Sequence, residues 1–101
     1  MVTEIVEFEI LPDLLIEDFT AIVDNLEKAF HMHQQGYIDS ELVKGKQNRW
    51  AMVMHWERME DVKQASKQLM KDERAADFRE ALIPTSVRML YLEQMKNWQL
   101  R

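Results

Sequence analysis

Residues 50–56, Trp-Ala-Met-Val-Met-His-Trp, restrict the fold of this chain more than any other stretch. Read with a period of two, Trp50, Met52, Met54 and Trp56 share one side, and Ala51, Val53 and His55 share the other. A strand that is apolar on both sides needs cover on both sides. In a chain of 101 residues, its own helices supply one cover. The other has to come from a ligand or from a second copy. A chain this short buries only roughly 65% of its unfolded surface by itself, so dimerisation would add to its stability.

The neighbouring segments supply a pattern to place that strand in. Residues 2–10, VTEIVEFEI, alternate: Val2, Val6, Phe8 and Ile10 fall on one side with Glu4 as the single polar exception, and Thr3, Ile5, Glu7 and Glu9 fall on the other. Asp13 is placed as an N-cap after Leu11-Pro12, with Glu17 and Asp18 favouring the positive end of the helix that follows. Leu15, Phe19, Ile22, Val23, Leu26 and Phe30 lay one apolar stripe along that helix, and Gly36 stops it. Tyr37–Val43 reads as a second strand and Arg49–Glu57 as the third, with Gly45 supplying the turn between them. Met59–Lys71 is a second helix whose buried stripe is Met59, Val62, Ala65, Leu69 and Met70. Residues 73–82 form a further short helix ended by Pro84, Ser86–Gln94 is a fourth strand, and Met95–Arg101 is a tail.

The order β-α-β-β-α-β predicts an α+β, ferredoxin-like domain with a four-stranded antiparallel sheet and both helices on one face. One face of that sheet is then open. If it carries Trp50, Met52, Met54 and Trp56, it is an apolar patch of the kind that marks an interface or ligand site. One domain, residues 1–101, accounts for the chain.

Composition narrows the function classes. Lys and Arg number 13 against 18 Asp and Glu, a net charge of −5, which argues against binding a nucleic-acid backbone. The small basic cluster Lys44, Lys46 and Arg49 sits at the hairpin tip. Cysteine is absent, so a disulfide framework, a thiol nucleophile and a thiolate metal site are all excluded. No apolar run has the length of a membrane span, and no signal-peptide pattern opens the chain, so a cytoplasmic location without membrane association is expected. His31 and His33 are two residues apart on a helix and diverge, and no other spacing suits a metal.

Several residues together resemble a known family. The apolar third strand ends in Trp56-Glu57, an acidic helix start follows at Met59-Glu60-Asp61, and that helix ends near Asp72-Glu73-Arg74. An F-x-x-A-L segment, Phe78–Leu82, then precedes Pro84. The chain resembles the dimeric α/β-barrel superfamily, and within it the antibiotic-biosynthesis monooxygenase-like domains. The resemblance implies a homodimer of ferredoxin-like subunits packed sheet to sheet. It also implies a barrel cavity for a small aromatic or polyketide-like molecule, and cofactor-free oxygenation as one of several family activities. It departs from the family at Met54, where relatives often carry glutamate. The features that haem-degrading relatives use are also missing: an asparagine on the first strand, a tryptophan on the second helix, and a histidine where Leu82 stands. Haem degradation by that arrangement is not expected.

An RNA-recognition module has the same element order, but its strand-three glycine is Trp50 here and strand one offers glutamates in place of a base-stacking aromatic. That reading is set aside. Within the barrel reading, Glu7 and His55 are the candidate catalytic bases. Glu7 stands opposite the apolar face of strand one, and His55 carries the side chain best suited to proton transfer near neutral pH. Each has a plainer role: Glu7 at the barrel rim with Arg88, and His55 as a structural residue near a strand end. Trp50, Met52, Met54, Trp56 and Tyr91 are the candidate substrate-binding residues, the methionines forming a soft wall and the tryptophans stacking on a planar ring. The same tryptophans equally suit plain interface packing. Tyr91 and Arg88 lie on opposite faces of strand four, and only one of them can face the lumen. No cofactor and no metal is expected. The alternative function is a non-catalytic dimer of the same fold that binds a small ligand or serves a structural role.

Overall fold

The computed structural model describes residues 1–100 and consists of four strands and three helices. Strand β1 spans Val2–Phe8, helix α1 Ile16–Ala29, β2 Tyr37–Lys44, β3 Trp50–Trp56, helix α2 Met59–Leu69, helix α3 Ala76–Ala81 and β4 Arg88–Glu93. The sheet is antiparallel throughout with spatial order β2-β3-β1-β4, and the helices cover one face. This is the α+β ferredoxin-like arrangement.

Register decides what that covered face contains. Val2 pairs with Trp56, Glu4 with Met54, Val6 with Met52 and Phe8 with Trp50. Directly opposite residues of adjacent strands share a face, so the large side chains of β3 join the apolar set of β1 beneath the helices. Phe8, Phe19, Trp50 and Phe78 form an aromatic cluster at one end of this layer: Phe8 meets Phe19 and Phe78 edge-on, Phe19 meets Trp50 edge-on with centroids 5.1 Å apart, and Phe19 stacks on Phe78. Phe30, His31, Tyr37 and Trp56 form a second cluster at the other end. Met52 and Met54 pack fully buried between them.

Several local expectations are corrected. Asp13 is not the N-cap: α1 starts at Ile16 behind Leu15, which makes no side-chain cap, and Leu15 is exposed rather than part of the buried stripe. Pro12 and Asp13 instead lie in a turn in which the Leu14 N–H donates to the Leu11 carbonyl. His31 and His33 lie in a separate 3₁₀ turn beyond α1. Met70 caps the C-terminus of α2 and is exposed, because at 100° per residue it lies to the side of the Val62, Ala65 and Leu69 stripe. In the β2–β3 turn the left-handed residue is Gln47, at φ 57°, and not Gly45.

Candidate functional site

The open face of the sheet is built from three cross-strand rows. Asp39, His55, Thr3 and Leu92 form the first; Glu41, Val53, Ile5 and Leu90 the second; Val43, Ala51, Glu7 and Arg88 the third. Leu90 and Leu92 are 41% and 46% exposed, and Val43 is 40% exposed. Val53, Ile5 and Leu90 of the middle row, with Leu92 beside them, form an apolar strip on this uncovered face.

At the third row this face deepens into a cleft of about 590 Å³. Glu7 and Arg88 line it from the sheet, Arg49 and Asn48 from the β2–β3 turn, and Ser86 from the segment before β4. The Asn48 amide is fixed by donating to the Ile10 carbonyl at 2.7 Å, and the Ser86 hydroxyl accepts from the Glu9 N–H at 2.8 Å. Glu7 and Arg88 are directly opposite in register, yet among the described residues no ion pair joins Glu7 or Glu9 to Arg49 or Arg88. Carboxylates and guanidinium groups thus share one concave surface while retaining hydrogen-bonding capacity for a ligand.

His55 lies on the same face at the opposite end. Its Nδ1 lies 2.6 Å from the Asp39 carboxylate. An ionised carboxylate only accepts, so Nδ1 donates to it, and the neutral ring then keeps Nε2 as an acceptor. Glu7 and His55 are separated by two rows of the sheet, about 13 Å at the usual strand rise. The chain by itself therefore does not bring the two candidate bases together.

The four β3 residues assigned to ligand binding are not on this face. Trp50, Met52, Met54 and Trp56 lie in the helix-packed layer, each at most 6% exposed, and of the four only Trp50 also borders the cleft. The reason is area: β3 has one large and one small apolar set, and burying the large set under the helices removes the most apolar surface from water. Ala51, Val53 and His55 take the open side. Tyr91 faces the helices as well, through its pairing with Glu4, and of the two it is Arg88 that lies on the open face, with Leu90 and Leu92.

Sequence reasoning noted Glu4 only as a break in the alternation, and that break is the mark of a buried polar site. Glu4 is 3% exposed inside the helix-packed layer. Trp56 Nε1–H donates to its Oε1 at 3.0 Å, Ser66 Oγ–H to its Oε2 at 3.4 Å, and the Tyr91 hydroxyl to Ser66 Oγ at 3.0 Å. Loss of hydration pushes the Glu4 carboxyl above its ordinary range; the charge of His31 and the Trp56 and Ser66 hydrogen bonds pull the other way, and Glu27 adds to the rise. Beyond Trp56, the buried His31 contacts Glu27 through Nδ1, and Ser40 donates to Glu27 while pairing with the Tyr37 hydroxyl. Burial also raises the Tyr37 phenol, against the Ser40 hydrogen bond. The open-face cleft does not reach Glu4, so this network braces the core and the cleft is the candidate active site.

The cleft has no arrangement suited to a metal: among the described residues, no three His, Asp or Glu side chains converge. No described helix is long and apolar enough to cross a membrane.

No protein-family model matches the sequence, and no curated protein matches it. Solved structures do match. A protein from Bordetella bronchiseptica described as an antibiotic biosynthesis monooxygenase superposes with a TM-score of 0.77 at 17% identity, covering 94% of this chain and 97% of that one. SnoaB, a cofactor-independent oxygenase from Streptomyces nogalater, gives 0.73 at 15% identity over 95% and 94%. MhuD, in a structure with two manganese protoporphyrin IX molecules per active site, gives 0.69 at 14% over 98% and 99%. Sequence identities this low carry fold and nothing finer, and in fold the chain stands with the antibiotic-biosynthesis monooxygenase-like proteins.

Proposed function

We propose that the chain is a cofactor-independent oxygenase of small electron-rich aromatic or polyketide-like molecules, with its site in the open-face cleft. The observation that carries this reading is Glu7, set in a concave surface with the guanidinium groups of Arg49 and Arg88 beside an apolar strip. Glu7 removes a phenolic or enolic proton. Arg49 and Arg88 hold the resulting anion, a charge that forms only as the reaction proceeds. The nucleophilic carbon of the anion attacks dioxygen, forming a C–O bond, and protonation gives a hydroperoxide. Loss of water, with the ring C–H proton leaving, yields the quinone. One oxygen atom enters the product and the other leaves as water. The substrate supplies the electrons.

The cleft is open on one side, and a carbanion exposed to bulk water would be reprotonated before it met oxygen. A second copy packed on the open face would close the cleft. The likeness in fold to SnoaB supports this chemistry. The ring of the substrate lies against Ile5, Ala51 and Val53, not between tryptophans. His55, held by Asp39, is the alternative base at the far end of the same face.

Oxygen consumption over a panel of phenols and hydroquinones tests the reading, with binding measured in parallel. Turnover above buffer, lowered about 100-fold or more by Glu7→Gln and little changed by His55→Gln, is expected. The converse pattern would move the base to His55. Compounds that bind in the cleft without any oxygen uptake would leave a non-catalytic ligand-binding protein and end the oxygenase reading.

A further inference from the structure

The side chains that β3 presents on the open face shrink toward the cleft: His55, then Val53, then Ala51. The neighbouring β2 tapers in the same direction, from Glu41 to Val43 and on to Gly45, whose N–H donates to the Arg49 carbonyl at 2.8 Å and continues the pairing into the turn. Ala51 is the low point of the floor. It stands directly opposite Glu7 on β1 and Val43 on β2, and all three line the cleft.

The fold does not ask for a small residue at this position. The helices pack on the other face of the sheet, over Trp50 and Met52, and not over Ala51. Alanine is depleted in strands, where β-branched and aromatic residues pack better. A position that departs from local preference without a gain inside the chain is a candidate for function.

What the alanine leaves is a flat apolar seat. Directly opposite residues of adjacent strands have Cβ atoms about 5 Å apart, so the seat begins beside the Glu7 carboxylate. It runs on to Val43, two strands and about 10 Å away from Glu7. Val43 is 40% exposed. One ring with its hydroxyl at Glu7 covers Ala51 and stops there; a second, fused ring covers Val43. The cleft volume of about 590 Å³ falls among sites of roughly 300–1,000 Å³, which hold molecules larger than one ring.

We propose that Ala51 is the specificity-determining residue of the cleft and selects flat, fused two-ring phenols. The assignment rests on the proposed function for the phenol class and for Glu7 as the group that meets the hydroxyl.

Calorimetric titration of the full chain with 1-naphthol, phenol and 3-tert-butylphenol tests it, the last being apolar but not flat. 1-Naphthol is expected to bind at least about 10-fold more tightly than either of the others. Ala51→Leu raises the floor and is expected to abolish that preference, while Ala51→Ser, close to alanine in size, keeps it. Should Ala51→Leu not fold, Ala51→Val, which strands favour, makes the same test. A leucine variant that binds 1-naphthol as the native chain does would overturn the assignment, as would a native chain that binds 3-tert-butylphenol equally well or binds none of the three. Conversion of a native dimer to a monomer by Ala51→Leu, read by native mass spectrometry, would also overturn it, because a second copy would then fill the seat. Flat-ring selectivity without oxygen uptake upholds the assignment and ends only the oxygenase reading.

Discussion

Glu4 shows how much one residue can depart from its strand pattern. Its neighbours on that face are apolar, and it is accommodated by donors from Trp56 and Ser66. Its carboxyl is raised mainly by desolvation, so between its ordinary value and the higher folded one the folded chain binds more protons here than the unfolded chain does. The stability from this group is full below its ordinary value of 4.5 and is lost as pH rises through the higher folded value. Glu4→Gln keeps an acceptor for Trp56 and has no charge to bury. It is expected to raise the urea midpoint at pH 7.5 and to make little difference at pH 4. An equal gain at both pH values would rule out the titration as the cause. Trp56→Phe removes the indole donor and strands the carboxyl oxygen, at an expected cost of about 1–3 kcal/mol in chemical denaturation.

At the scale of elements, the connections carry the strain. Gly36 sits at φ 81° between the 3₁₀ turn and β2, against the Asp61 side chain on α2. Its carbonyl accepts from the Glu57 N–H at 2.8 Å, which ties the start of β2 to the end of β3. Gly36→Ala therefore meets both an unfavourable backbone region and a clash, and is expected to destabilise by at least about 1 kcal/mol. The control is Gly45→Ala, where a Cβ has only ordinary contacts, its nearest neighbour being 3.7 Å away. Its melting temperature should move far less. A Gly36→Ala variant as stable as the native chain would show that α2 can shift to make room.

At the scale of the molecule, the open sheet face is the unfinished surface. Ile5, Val53, Leu90 and Leu92 form its centre, with Leu90 and Leu92 exposed. A homodimer closing this face follows from the proposed function. Native mass spectrometry at micromolar concentration is expected to find the dimer, and Leu90→Glu, which places two like charges across the interface, to give a folded monomer. A native chain that is monomeric at that concentration would mean that the cleft at Glu7 works open, without the dry environment that carbanion chemistry needs.

Periodicity alone determined the element order, the ferredoxin-like topology and the division of each strand into two sets of side chains, because a period of two or of 3.6 is a local property of the backbone. It also marked Glu4 as an exception. It did not determine which set of β3 faces the helices. Both sets are largely apolar, so periodicity does not separate them; they differ in size. The choice fell to pairing with β1 in register and to the larger area buried when Trp50, Met52, Met54 and Trp56 lie beneath α1 and α2. The same pairing put Tyr91 inside with Glu4 and Arg88 outside with Glu7. The cleft itself draws on β1, β3, β4 and the β2–β3 turn, segments as far apart as Glu7 and Arg88, and such a surface exists only once the sheet has closed.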